Sequence, residues 1–163
     1  VDETQFIIGY TAFVAVLMTV SLFLLCRGMD RKRYLRPVFY GMFFGFGAMM
    51  FFNAGLFAFL IGGLMTGYLL REVTGFISIF KAGALSGMLM YSSTLIAAPV
   101  RAVIFGFATT WSSSDMLYFC FYAALYLFQN VVFVGGAAFL GGMLRKFLAS
   151  RQTGAQPQPK PAT

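Results

Sequence analysis

Residues 38–70 read VFYGMFFGFGAMMFFNAGLFAFLIGGLMTGYLL, and no charged side chain interrupts them. As one α-helix the stretch would be about 50 Å long at 1.5 Å per residue, against a bilayer hydrocarbon core of about 30 Å. It carries its own break. Asn53-Ala54-Gly55 is a tight-turn triplet, so two short helices are expected, 38–52 and 56–70, folded back on each other. That reversal decides which side of a membrane every later residue faces.

The rest of the chain has the same character. Of 163 residues, 60% are apolar and 10% charged, a balance that would force a soluble fold to expose much of its apolar surface. The uncharged runs lack the apolar/polar alternation of barrel strands. Inside lipid every backbone group must be bonded within its own segment, and helices satisfy that demand. The expected fold is an all-α, polytopic transmembrane bundle of five spans, near 6–26, 38–52, 56–70, 82–100 and 116–144, forming one domain over 1–151.

Around these spans lie shorter elements. The first run follows Asp2 and Glu3 and reads as a retained anchor rather than a signal peptide, whose leading flank would be basic. Pro37 is expected to open the second helix, the position where a missing N–H matters least. In Arg71 to Lys81, Val73, Phe76, Ile77 and Phe80 recur at helical spacing opposite polar residues, the pattern of a helix lying in the interface. Residues 102–111 are apolar but too few to cross and are expected to re-enter or lie flat, with Trp111 at headgroup level. Residues 152–163 (QTGAQPQPKPAT) have the composition of a disordered tail.

Charge orients the bundle. Cytoplasmic loops are enriched in Lys and Arg. With five spans, every one of the twelve basic residues except Arg101 falls on one side, whereas a single helix over 38–70 divides them evenly. The sequence therefore places the N-terminus outside and the C-terminus in the cytoplasm, as a multi-pass protein of a prokaryotic plasma membrane. Cys26 and Cys120 fall at opposite ends of that arrangement, too far apart for a disulfide.

The residue inventory limits the chemistry. Histidine is absent and the net charge is +7, with the five acidic residues all outside the apolar runs. Imidazole-based catalysis, histidine-ligated metal or haem, and an intramembrane carboxylate relay lose their usual carriers. No catalytic, cofactor-binding or metal-binding residue is assigned, and no enzyme activity or cofactor is expected. Basic residues beside membrane segments do not make a nucleic-acid surface.

What remains is packing, polarity and charge. Gly41 and Gly45, Gly63 and Gly67, and Gly83 and Gly87 repeat at spacing four, and Gly135-Gly136 and Gly141-Gly142 lie in the last helix. Such glycines let helix backbones approach, within one chain, in a homo-oligomer or against other membrane subunits. Gln129 and Asn130, at the middle of the last span, need partners there. They could bond to a neighbouring helix, or line a polar path with Ser92, Ser93 and Arg101. Arg27, Arg31, Lys32, Arg33 and Arg36 suit anionic lipid headgroups, though topology alone explains them. The expectation is a non-catalytic accessory or assembly subunit in the lipid bilayer; a small transporter or channel component is the alternative.

Overall fold

The computed structural model describes residues 3–52, 56–70, 75–104 and 112–154. Among them it holds five α-helices and no strand: α1 (Glu3–Cys26), α2 (Arg31–Phe52), α3 (Leu56–Leu69), α4 (Phe76–Ile104) and α5 (Ser113–Gly154). The break between α2 and α3 falls at 53–55, the turn triplet itself lying outside the described residues. Two helices carry stretches long and apolar enough to cross a membrane, Thr4–Cys26 and Ser114–Arg151, which is compatible with a membrane location. The apolar stretches Leu56–Leu69 and Phe76–Ser92 are shorter.

Local chemistry sets most boundaries. After Cys26 the chain turns through Gly28 at φ 76°, a left-handed conformation that glycine adopts without a Cβ penalty. Met29 N–H donates to Cys26 O (3.1 Å), closing that turn. Asp30 then caps α2: its Oδ1 accepts from Lys32 N–H at 3.2 Å, and its carbonyl accepts from Arg33 and Tyr34. Pro37 therefore does not open α2 but sits inside it. The Asp30 cap starts the helix a turn and a half earlier, and Pro37 removes one ladder bond, to the Arg33 carbonyl. At α5, Ser112 and Asp115 form a reciprocal capping box. Asp115 N–H donates to Ser112 Oγ (3.2 Å), and Ser112 N–H donates to Asp115 Oδ2 (2.8 Å).

Three further expectations change. The interfacial helix over 71–81 is not a separate element: 71–74 lie outside the described residues, and Phe76 onward opens α4. Gly135 explains this. It leaves a notch on α5 in which the Phe80 ring sits within 2.6 Å of where a Cβ would be, while Phe76 meets Phe139 edge-on at 4.7 Å. At its other end α4 continues to Ile104, past the expected end near 100, and 105–111 lie outside the described residues. Lastly, α5 runs on to Gly154, taking in 152–154 that composition assigned to the tail; 155–163 lie outside the described residues.

The helices alternate in direction. Gly41 faces Gly62 and Gly45 faces Ala58, so α2 and α3 are antiparallel. Gly63 meets Val134 and Gly67 meets Ala138, so α3 and α5 are parallel. Gly83 faces Ala138 and Gly87 faces Val134 and Asn130, so α4 opposes α5. α1 runs with α5: Phe6 meets Phe119, and Tyr10, Val14 and Ala123 form a small core. Among the described residues it packs on α4 and α5 and not on α2 or α3. A second core, Val38, Leu70, Ile79, Ala82 and Ala138, ties α2 through α5 together.

Candidate functional site

The glycines singled out by spacing are placed at helix crossings. Cβ atoms on Gly63 and Gly67 would meet the Val134 and Ala138 backbone on α5, and one on Gly141 would meet the Leu64 carbonyl on α3. Gly83 and Gly87 stand against Ala138 and Val134, Gly41 against Thr66 and Gly62, and Gly45 against the Met90 thioether. In each case a methyl group would have to displace a neighbour. Gly136 differs: nothing lies within 4 Å of its Cβ position, and Val132 and Leu140, one turn to either side, are exposed. Met90 was not legible as a contact residue, being one of ten methionines. It is buried and fills the space between Gly45 and Gly62. Beside it Gly45, Phe46, Met49, Ala58, Phe59 and Met90 line a shallow groove with no enclosed room for a water molecule.

The polar groups turn inward on their own helices. Asn130 is buried, and its Nδ2 donates to the Tyr126 carbonyl (2.8 Å) one turn back, rather than across to a neighbour. Ser92 Oγ donates to Leu89 O (2.7 Å) and Thr66 Oγ1 to Gly62 O (2.8 Å), again within their helices. Gln129 is half-buried beside Asn130. The side chains of Ser93 and Arg101, the other members of the expected polar path, lie outside the described residues. One group sequence reasoning missed is Ser86: it is fully buried on α4, and among the described residues its Oγ has no hydrogen-bond partner. No signal in the sequence marks it, since a serine among glycines and alanines is equally at home facing lipid.

Charge collects at one end of the bundle. Lys81 Nζ donates to the Arg27 carbonyl (3.1 Å), and Arg145 donates to the Leu70 carbonyl. These contacts bring the ends of α1 and α3, the start of α4 and the exit of α5 together. Lys32, Arg33 and Arg36 stand at the start of α2 on that same end; the Arg31 side chain lies outside the described residues. Asp30 lies 3.4 Å from Arg33 Nε, but both are exposed, so the pair contributes little. The opposite end carries Asp115, whose carboxyl is held below the usual carboxylate range by the Ser112 hydroxyl and then by the Ser112 backbone N–H.

Aromatic rings fill the crossing of α1 with α5. Phe6, Tyr10 and Phe119 interlock with centroids 5.6 to 6.5 Å apart. Tyr118, Tyr122 and Tyr126 follow one another along α5 at 4.3 and 5.9 Å. Among the described residues no group of three or more His, Cys, Asp or Glu side chains could hold a metal ion. Comparison with protein-family models, curated proteins and solved structures gives no match to this chain.

Proposed function

We propose that the chain is a non-catalytic, multi-pass integral membrane protein that serves as an accessory or assembly subunit, with its N-terminus outside and its C-terminus in the cytoplasm. The observation that carries this reading is a bundle whose helices alternate in direction while its described basic side chains gather at one end. That is the arrangement a positive-inside topology requires. Glycine contacts close much of the bundle from within, and a surface open to another subunit or a second copy lies where Gly136 opens between Val132 and Leu140. Native electrophoresis in mild detergent tests it. Migration as a larger complex, reduced by Gly136→Phe, is expected; a strict monomer with nothing co-purifying sinks the proposal.

A second reading, a small transporter or channel component, has one observation in its favour: the Ser86 hydroxyl, without a partner among the described residues, next to Gly87, which faces the Asn130 carbonyl. Buried polar groups without partners are rare and call for a reason. Flux into liposomes that falls in Ser86→Ala and Asn130→Leu variants would favour this reading, and no flux of any ion or solute would remove it.

A further inference from the structure

The helices differ in how far they reach, and that difference bears on the bilayer. Thr4–Cys26 of α1 is an uncharged stretch of 23 residues between Glu3 and Arg27, about 35 Å long and a match to a hydrocarbon core of about 30 Å. Its outer end is level with the start of α5, because Gly9 meets Met116 and Phe6 meets Phe119. α4 reaches that level too: continuing the register set by Gly87 against Val134 brings Ile104 close to Asp115. α3 has only 14 residues, about 21 Å. The part of α2 beyond its basic start, residues 37–52, is about 24 Å long. With Gly63 level with Val134, and Gly45 with Ala58, the described end of the α2–α3 pair, Phe52 and Leu56, lies level with about residues 122–127 of α5. It stops on the order of 10 Å inside the outer edge marked by Phe6 and Met116.

Given the membrane reading above, we infer that α2 and α3 do not cross the bilayer but form a re-entrant hairpin, inserted from the basic side, whose tip ends within the hydrocarbon of the opposite leaflet. The described residues flanking the turn agree. Phe51 is 85% exposed and Phe57 70%, with Leu56 half exposed beside them. Bare aromatic and aliphatic side chains there are at ease in acyl chains and poorly placed in water or among headgroups. Tilting cannot rescue a full crossing, since it only shortens the reach along the membrane normal. Both ends of the hairpin stay on the basic side, so the charge distribution that orients the chain is the same for a hairpin as for two spans. The consequence is a wedge, with five helices in the leaflet on the basic side and three in the other.

Nitroxide labels read the depth directly. In a Cys26→Ala, Cys120→Ala background, Phe51→Cys, Phe57→Cys, Val16→Cys and Ser114→Cys are each labelled and reconstituted into phosphatidylcholine/phosphatidylglycerol vesicles. Collision with oxygen is compared with collision with a water-soluble nickel chelate. All four side chains are exposed, so the label displaces lipid or solvent rather than core. Val16, on the apolar stretch of α1, is expected deep and Ser114 at the headgroups, with Phe51 and Phe57 on the order of 10 Å deeper than Ser114. Labels at 51 and 57 as shallow as the one at 114 would overturn the hairpin, whether by true crossing or by local thinning of the bilayer. Nickel access at Val16 would instead overturn the membrane reading, and the hairpin with it.

Discussion

Replacing Gly67 by alanine tests the tightest crossing in the bundle. The added methyl falls on the Ala138 carbonyl oxygen and lies 2.5 Å from its carbon and 2.8 Å from its Cα. Carbon atoms rest at about 3.5–4.0 Å, so α3 and α5 must separate by about 1 Å. A gap of that size forfeits a quarter to a half of each contact, and each contact is worth about 0.1–0.2 kcal/mol. Over a seam of on the order of 20 atom pairs the loss is about 0.5–2 kcal/mol, overlapping the usual range of about 1–3 kcal/mol for overpacking. Neither partner can yield by a side-chain rotation, because the obstacle is backbone. Gly136→Ala is the matched control, the same substitution in the same bundle with open space around it, and it should change stability by less than about 0.5 kcal/mol. Titration of purified protein with dodecyl sulfate in mixed micelles, followed by helical circular dichroism, measures both. Equal stability of the two variants would mean that α3 and α5 do not cross where described.

Three other outcomes follow from the same contacts. Met90→Ala removes the side chain between Gly45 and Gly62 and should destabilise by about 2–4 kcal/mol, seen in the same titration. Ser86→Ala deletes a buried hydroxyl that has no partner, so it should be neutral or slightly stabilising; a clear loss of stability would show that the hydroxyl is bonded after all. The Asp115 carboxyl is lower in the folded state than in the unfolded one, so its cap is complete above the unfolded value and is lost as pH falls through the folded value. Fraying at the start of α5 should appear only below about pH 4, and Ser112→Ala should move the Asp115 carboxyl resonance titration upward.

Some of this architecture was written in the sequence because charge and turn chemistry act locally. Asn53-Ala54-Gly55 marks the reversal between α2 and α3, and Arg27 and Glu3 bound the first helix without help from any neighbour. The misreadings were also local. Pro37 looked like a helix start because its preference for first turns outweighs any cue from Asp30, the residue just before α2 begins. Residues 76–81 looked interfacial because nothing in their own pattern announces the notch at Gly135 that receives Phe80.

What the chain carried by itself is its helical class and a lopsided charge: long uncharged runs without strand alternation, between which the described basic side chains gather at one end. Tertiary structure decided which glycines are taken up inside and that Gly136 is left open, that Asn130 bonds to its own helix, and how far each helix reaches relative to the others. The division has a physical origin. Transfer of a charge or an apolar run between water and lipid depends on the segment alone, whereas the close approach of two backbones depends on register between segments far apart in the chain, which no single segment encodes.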